Sequence, residues 1–276
     1  MRGASPLRYP GGKWRIAPFL RRVIEINHLD DPIYIEPYAG GASLALSLLF
    51  DGLVAEIHLN DLDFAVYAFW RSVLTNTREL LKLISEVSVT PDEWYKQKAI
   101  YAEGTRSGTL ALGFAKFFLN RTSHSGILNG GMIGGKEQMG KWKLDARFNR
   151  AELARRISRI SSAKNHIFIT SRDALDVLKD CRSSRKRLVY LDPPYYRPGR
   201  HLYLNDYKPN DHFAVRKCVE KLVCPWIVSY DDVNEIRKLY KGVHCKHLAL
   251  LHTASRAHLG AEILYFSPEL RIPKSI

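Results

Sequence analysis

Cysteine is scarce in this chain of 276 residues. Cys181, Cys218, Cys224 and Cys245 show no paired spacing of the kind that holds a metal ion, so we expect free thiols and no metal site. No apolar run is long enough to span a bilayer, and residues 1–6 lack the apolar segment of a signal peptide. These absences argue against a secreted disulfide-rich domain and a membrane protein, and they predict a cytoplasmic location.

Acidic residues are also in short supply. Against 42 lysines and arginines there are 28 aspartates and glutamates, which gives a formal net charge of +14 and favours a polyanionic partner, nucleic acid first. The excess is concentrated in residues 78–165, which hold sixteen basic and eight acidic residues. This distribution predicts that the middle of the chain contacts the phosphate backbone.

The most informative stretch is an apolar run, residues 187–191, that ends in Asp192-Pro193-Pro194-Tyr195. The run predicts a strand buried on both faces of a parallel sheet, and proline ends it because proline cannot continue a central strand. A carboxylate, a rigid turn and an aromatic ring then stand at the carboxyl end of the strand, where open α/β sheets bind ligands.

These residues suit a flat base that carries an exocyclic amine. The carboxylate of Asp192 and the carbonyl of Pro193 can each accept a hydrogen bond from the amine, and the ring of Tyr195 can stack on the base. The alternatives are a strand that merely ends in a proline turn and a tyrosine that only fills the core.

A second strand, residues 33–36, runs into a glycine turn at Gly40 and Gly41 and then into a helix over residues 42–50. The turn matches neither the dinucleotide fingerprint nor a phosphate-gripping loop, which favours a nucleoside ligand without a pyrophosphate. Asp61 lies at the end of the following strand, where such folds hold ribose hydroxyls, although it could also cap the next helix.

The N-terminal segment offers a smaller signal. Gly11 and Gly12 permit positive φ and a close approach of the backbone to a ligand, and Lys13 beside them can meet an anion. Taken alone, a Pro-Gly-Gly sequence is equally typical of an ordinary loop.

The alternation of strands and helices predicts an α/β, Rossmann-like fold with a mostly parallel sheet and an antiparallel edge. The edge is expected from two final strands near residues 247–251 and 262–266. We predict an α/β domain of residues 1–76 and 165–276, with an inserted, mainly helical domain of residues 77–164. Residues 197–208 lack periodicity and are predicted to form a flap over the site.

Within the insert, residues 119–135 are rich in glycine and are predicted to form a long adaptable loop. A basic stretch follows it, which could be a solvated face or a phosphate-binding surface. The candidate DNA-binding residues are Asn120, Arg121, Ser123, His124, Ser125, Asn129, Lys141, Lys143, Arg147 and Arg150.

Several of these groups occur together in one family. The chain resembles the Dam-type DNA adenine-N6 methyltransferases in five stretches, which keep the family's order and span nearly the whole chain. The stretches are residues 8–13 (Arg-Tyr-Pro-Gly-Gly-Lys), residues 36–41 (Glu-Pro-Tyr-Ala-Gly-Gly), Asn60-Asp61, residues 119–121 (Leu-Asn-Arg) with their glycine-rich sequel, and residues 192–195 (Asp-Pro-Pro-Tyr).

The resemblance implies S-adenosylmethionine as the cofactor and double-stranded DNA as the partner. It also implies that residues 1–76 and 165–276 form the catalytic methyltransferase domain and that the inserted residues 77–164 form the DNA target-recognition domain. It implies direct methyl transfer to a flipped-out adenine, with Asp192, Pro193, Pro194 and Tyr195 at the catalytic position and no metal or cysteine nucleophile. The implied cofactor-binding residues are Tyr9, Gly11, Gly12, Lys13, Glu36, Pro37, Gly40, Gly41, Asp61 and Asp192, together with Asp173 or its neighbour Arg172. The family often has a glycine–small–glycine turn where this chain has Ala39-Gly40-Gly41.

Other functions would fit much of the same pattern of residues. Methylation of cytosine N4, of RNA amines or of a side-chain amide needs the same site, and a DNA-binding protein that only senses cofactor would keep the same charge. A cognate restriction endonuclease is a candidate functional partner, and a monomer is the expected state.

Overall fold

The structure, a computed structural model, describes residues 4–9, 13–128, 130–183, 186–196, 207–252 and 258–274. Gly11, Gly12 and Asn129, three of the predicted site residues, lie outside these ranges, and so does most of the predicted flap. The described strands are β1 (Ile33–Glu36), β2 (Glu56–Asn60), β3 (Ile167–Thr170), β4 (Arg187–Leu191), β5 (Trp226–Asp231), β6 (Cys245–His252) and β7 (His258–Phe266).

These strands form one sheet in the order β3-β2-β1-β4-β5-β7-β6. The first five run parallel, with Ile35 of β1 beside Val189 of β4, whereas β7 runs antiparallel to both β5 and β6. The Rossmann-like sheet with an antiparallel edge is therefore confirmed. Strand β7 nevertheless lies inside the sheet, and β6 forms the edge.

Ten helices are described around this sheet. They are α1 (Ala17–Ile26), α2 (Ser43–Phe50), α3 (Phe64–Thr75), α4 (Thr77–Glu86), α5 (Pro91–Glu103), α6 (Thr109–Thr122), α7 (Arg150–Ser162), α8 (Ala174–Asp180), α9 (Pro209–Val219) and α10 (Asn234–Leu239). In the described part of the chain, no helix has the length and apolar character that a bilayer crossing needs.

Successive residues of a strand point to opposite faces of the sheet, and the apolar strands are buried on both faces because helices cover each face. On β4, Leu188 and Tyr190 join the core cluster formed with α1, α2 and α3, while Val189 and Leu191 join the cluster formed with α8, α9 and α10. A continuously apolar strand of this kind has both faces covered by helices. Its carboxyl end is left as the place where polar groups can collect.

The predicted recognition segment packs directly on the catalytic half. Helix α6 lies so close to α3 that a Cβ on Gly113 would stand 2.6 Å from the carbonyl oxygen of Ala68. The rings of Phe69 and Phe117 stack across the same junction, 5.5 Å apart. Residues 77–164 therefore share their core with the helices that flank the sheet, and their role as a recognition domain stays a prediction.

The boundary of the glycine-rich loop differs from the sequence prediction. We expected a loop from residue 119, but α6 continues to Thr122, whose hydroxyl donates to the carbonyl oxygen of Phe118. The helix persists because the first glycine of residues 119–135 is Gly126 and because Leu119 is buried in the core. Beyond it, Ser123 and Met132 form an isolated antiparallel bridge.

Candidate active site

Polar side chains collect where β1, β2 and β4 end. Glu36 is the last residue of β1, Asn60 is the last residue of β2, and Asp192 follows β4 directly. Because these strands are parallel neighbours, their carboxyl ends meet at one edge of the sheet, the position at which open α/β sheets bind ligands. The sequence-predicted groups are thus brought together by the topology.

Asn60 ties three strand ends together. Its buried amide nitrogen donates to the carbonyl oxygens of Pro37 (3.0 Å) and Arg172 (2.9 Å). Its oxygen accepts from the hydroxyl of Thr170 (2.7 Å) and from the backbone N–H of Arg172 (2.9 Å). All four hydrogen bonds of the amide are made within the protein, so Asn60 holds the edge in shape.

Asp61 holds the glycine turn. One carboxylate oxygen accepts from the backbone N–H of Gly40 at 2.8 Å, and the other accepts from the backbone N–H of Asp63 at 2.9 Å. The carbonyl oxygen of Gly40 accepts from the indole of Trp70 at 2.9 Å, so the turn is anchored on both sides. Burial, followed by the charge of Asp63, raises the pKa of Asp61 to about 6. The helix-capping role falls to Asp63 instead, which accepts from the N–H of Ala65.

The ring of Tyr9 lies on the glycine turn. A Cβ on Gly40 would stand 2.8 Å from Cε1 of Tyr9, and a Cβ on Gly41 would stand 3.0 Å from Cδ2. Gly40 also has φ of +46°, a conformation that favours glycine. Tyr9 remains 39 % exposed, so the ring covers the turn while part of its surface faces outward.

Glu36 is buried below this surface. Its carboxylate accepts from the hydroxyl of Tyr34 (3.0 Å) and from the backbone N–H of Ala45 (3.1 Å). Burial raises the pKa of Glu36 to about 8, and the charge of Asp192 adds to the shift, although the two hydrogen bonds oppose it. Glu36 therefore joins the end of β1 to the first turn of α2.

Lys13 stands at the centre of the site. Its ammonium lies 3.1 Å from Asp192 Oδ1 and 2.8 Å from Glu262 Oε2, and it donates to the hydroxyl of Tyr195 at 2.9 Å. Tyr195 in turn donates to Glu262 Oε1 at 2.5 Å. Asp192 Oδ1 also accepts from the hydroxyl of Ser229 on β5 at 2.6 Å. One cation is thus shared by two carboxylates.

The pKa values at this centre follow from the charges. Burial alone would lower the pKa of Lys13, but the charges of Asp192 and Glu262 outweigh burial and raise it. Burial raises the pKa of Asp192; Lys13 and Ser229 oppose that rise, whereas Glu262 adds to it. At neutral pH the centre holds a charged lysine between its acidic partners.

Asp173 lies near the edge without joining this network. Its carboxylate caps α8 by accepting from the backbone N–H of Leu175 at 2.7 Å, and its side chain is exposed. Its neighbour Arg172 forms an exposed ion pair with Asp180. A cofactor contact for either residue stays a prediction.

Two predicted DNA-binding residues are buried. The amide of Asn120 exchanges two hydrogen bonds with the backbone of Arg8 (2.7 and 2.8 Å) and donates to the carbonyl oxygen of Gly126. Ser123 is also buried, and its hydroxyl accepts from the indole of Trp94. Both side chains connect protein segments in this structure, and a DNA contact for either residue stays a prediction.

Four guanidinium groups gather beside them. Burial and the charges of Arg8, Arg156 and Arg147 lower the pKa of Arg121, and the charge of Arg147 likewise adds to burial in lowering the pKa of Arg8. Arg121 donates to the carbonyl oxygen of Arg147 at 2.7 Å, which fixes the group in place. We call Arg8, Arg121, Arg147 and Arg156 the arginine cluster. Its members repel one another, since a guanidinium remains protonated at neutral pH.

The remaining candidates are mostly exposed. His124, Lys141, Lys143 and Arg147 all lie at the surface. Lys141 and Arg147 flank the ring of Trp142, which is 58 % exposed, and Lys143 donates to the carbonyl oxygen of Gln138. Arg150 behaves differently: it donates to the carbonyl oxygens of Ile84 and Val87 at the end of α4. This contact anchors Arg150 to the protein backbone, and a phosphate-binding role for Arg150 stays a prediction.

Sequence reasoning missed Ser229 and Glu262, although each left a signal. Ser229 interrupts the apolar run of β5, and Glu262 is the only acidic residue in the described part of β7. A lone polar group within a buried strand needs a partner. The partners could not be identified without the strand order.

Comparison with known proteins identifies the family of this chain. Residues 9–253 match the family of D12 class N6 adenine-specific DNA methyltransferases. No curated protein matches the chain. Similar solved structures include a provisionally assigned methylase from Haemophilus influenzae, with 11 % identity, a TM-score of 0.39 and coverage of 91 % of this chain and 96 % of that one.

A provisionally assigned RNA methyltransferase from Pyrococcus horikoshii shows 9 % identity, a TM-score of 0.41 and coverage of 92 % and 84 % of the two chains. A SAM-dependent methyltransferase from Agrobacterium tumefaciens shows 11 % identity, a TM-score of 0.39 and coverage of 93 % and 62 %. The fold assignment rests on the chain's own sheet order, and the family assignment rests on the match that spans most of its length. The chain belongs to the D12 class N6 adenine-specific DNA methyltransferase family.

Proposed function

We propose that this protein transfers a methyl group from S-adenosylmethionine to the exocyclic amine of an adenine in double-stranded DNA. The observation that carries the proposal is the placement of Asp192. It follows the central strand β4 and is fixed by Ser229 and Lys13 at the edge where ligands bind. Family membership supports adenine as the base.

The residues at the edge fit this cofactor. S-adenosylmethionine, when bound, supplies an electrophilic methyl group on a positively charged sulfonium. Asp61 and Asp192 offer negative charge along the same edge, and Asp61 retains lone pairs for ribose hydroxyls beyond the two hydrogen bonds it accepts. The Tyr9 ring on the glycine turn offers an apolar surface beside them. We assign Tyr9, Lys13, Glu36, Pro37, Gly40, Gly41 and Asp61 to this site, with Gly11, Gly12 and Asp173 as further candidates.

The chain's own groups then act on the base. Asp192 and the carbonyl of Pro193 accept hydrogen bonds from the adenine amine and aim its lone pair, which is otherwise delocalised into the ring. The amine nitrogen forms the new bond to the methyl carbon, and the electron pair of the broken bond stays on sulfur. Asp192 can accept the proton that the nitrogen loses. Orientation and preorganised charge supply the rate enhancement.

DNA is held by the recognition segment, residues 77–164. Arg156 of the arginine cluster is paired with Glu152, and the positive charge of Arg8, Arg121 and Arg147 is what a phosphate group would neutralise. Lys141 and Lys143 extend the basic surface. Asn120 hydrogen-bonds to Arg8, next to Tyr9 on the glycine turn, so the segment adjoins the site. The adenine must leave the helix to reach Asp192.

The test is a transfer assay with methyl-labelled S-adenosylmethionine. Unmethylated duplex DNA, single-stranded DNA and RNA are incubated with the protein, digested, and analysed by mass spectrometry for N6-methyladenine and N4-methylcytosine. We expect N6-methyladenine in duplex DNA from the wild type and almost none from the Asp192→Asn variant. Label confined to cytosine or RNA, or no label at all, would reject the proposal.

A further inference from the structure

Glu262 occupies an unusual place for a carboxylate. It lies on β7, an interior strand, and pairs with Asp231 of β5 on one side and Leu248 of β6 on the other. Only 1 % of its surface is exposed, and Ile263 and Leu264 beside it belong to the core. A buried charge of this kind is costly unless it is paired and hydrogen-bonded, so its partners explain its presence.

Both oxygens of Glu262 reach the active site. Oε2 lies 2.8 Å from the ammonium of Lys13, and Oε1 accepts from the hydroxyl of Tyr195 at 2.5 Å. Lys13 lies 3.1 Å from Asp192, so the ammonium stands between the two carboxylates. Glu262 thereby joins the N-terminal segment, the Asp-Pro-Pro-Tyr turn and the antiparallel half of the sheet.

We infer that Glu262 is a positioning residue for methyl transfer: it draws Lys13 away from exclusive pairing with Asp192 and fixes the hydroxyl of Tyr195. The inference rests on the proposed function. Its effect is that Asp192 keeps acceptor capacity for the substrate amine while the Tyr195 ring is held in one orientation.

The charge balance explains why a second carboxylate is needed. An ammonium with one buried carboxylate partner forms a close pair. If Asp192 were the only partner of Lys13, its oxygens would be bound to Lys13 rather than to the substrate amine. Glu262 supplies competing negative charge 2.8 Å from the ammonium of Lys13. The Tyr195 ring also lies 5.2 Å from the lysine nitrogen, so moving Lys13 would disturb the ring as well.

The first arm of the test compares Glu262→Gln with Glu269→Gln, an exposed glutamate in the same C-terminal part of the chain. Steady-state methyl transfer to duplex DNA, DNA binding and melting temperature are measured for each. We expect Glu262→Gln to lower kcat about 10-fold or more while DNA affinity stays within about twofold, because a charge-assisted hydrogen bond is lost in the site alone. Glu269→Gln should match the wild type.

The second arm uses neither DNA nor cofactor. Lysines are acetylated competitively at pH 8, and the rate at Lys13 is compared with the rate at the exposed Lys238 of the same molecule by mass spectrometry. Losing Glu262 lowers the pKa of Lys13 and exposes more free amine, about tenfold for each unit of pKa. We expect the Lys13 rate to rise at least about fivefold in Glu262→Gln and to stay constant in Glu269→Gln.

The inference requires both the lower kcat and the faster acetylation of Lys13 in Glu262→Gln. A kcat within about twofold of the wild type, or an unchanged Lys13 rate, overturns the inference. If Glu262→Gln does not fold, Tyr195→Phe tests the same contact from the other side, and it should lower kcat about tenfold although it keeps the aromatic face. Failure of the acetylation arm rejects this inference alone, whereas a wild type without methyl transfer rejects the proposed function.

Discussion

The ring of Tyr9 covers Gly40 so closely that no side chain fits between them: a Cβ there would stand 2.8 Å from the ring. We therefore predict that Gly40→Ala displaces Tyr9 and weakens cofactor binding at least about tenfold, as well as adding about 1–2 kcal/mol of backbone strain at its positive φ. Isothermal titration with S-adenosylmethionine measures the affinity, and thermal unfolding measures the stability.

Gly52→Ala provides the matched control. Gly52 also has a positive φ, +67°, but a Cβ there would meet nothing within 4 Å. We expect a comparable loss of stability and unchanged cofactor affinity. Equal affinities for the two variants would show that Tyr9 does not contribute to the cofactor site.

The raised pKa of Glu36 predicts a pH-dependent stability. Because its pKa is about 8 in the folded protein, above the ordinary value of 4.5, the folded state binds the extra proton between those values. Folding stability should fall as pH rises through this window, by at most roughly 1.4 kcal/mol per pH unit. Glu36→Gln, which keeps an oxygen for Tyr34 and Ala45, should remove that slope.

Urea unfolding of the wild type and Glu36→Gln at pH 5 to 9, without cofactor, checks this prediction. The variant should gain stability relative to the wild type as the pH increases, and the exposed Glu86→Gln should show no such gain. Parallel pH profiles for the wild type and Glu36→Gln would mean that Glu36 is ionised throughout the range.

Asp192 should be essential for turnover but not for folding. Asp192→Asn keeps an oxygen that can accept from Ser229 and Lys13, so we expect a normal melting temperature. Loss of the charged acceptor should lower kcat roughly 10²–10³-fold. Single-turnover kinetics with saturating DNA make the measurement, and a rate near that of the wild type would remove Asp192 from the reaction.

Arg147 and Arg150 form a matched pair of basic residues near the start of α7. Arg147 is exposed and belongs to the arginine cluster, whereas Arg150 donates to the carbonyl oxygens of Ile84 and Val87. We expect Arg147→Ala to make the dependence of log K on log salt shallower by about 0.9, the value for one phosphate contact. Arg150→Ala should keep the slope and lower the melting temperature.

Fluorescence anisotropy with duplex DNA across a salt series gives both slopes. Identical slopes for Arg147→Ala and the wild type would place Arg147 on a solvated face. A shallower slope for Arg150→Ala would show that its backbone contacts yield to DNA.

Much of the sheet could be predicted because its strands are short apolar runs bounded by strong signals. The end of β4 at Leu191 follows from the two prolines, and the parallel direction of the first five strands follows from their alternation with helices. Strand ends without such signals differ from the prediction. Strand β7 begins at His258 rather than near residue 262, because its first part pairs with β6.

Site residues that directly follow a strand could be predicted from the sequence. Site residues that are brought together from distant parts of the chain could not. Asp61 and Asp192 fall at strand ends, which local patterns reveal. Glu262 is 249 positions from Lys13, and only the insertion of β7 beside β5 brings them together. For the same reason, the side chain of Asn120 could not be recognised as a connector to Arg8, 112 positions away.

The interior position of β7 also bears on how the protein is made. Translation delivers β5 and β6 before β7, yet β7 lies between them in the sheet, so β6 cannot form its final pairing until the later strand emerges. A nascent chain that stops before residue 258 would lack the carboxylate of Glu262 that holds Lys13 and Tyr195. We expect stalled ribosome-bound chains of that length to show no methyl transfer.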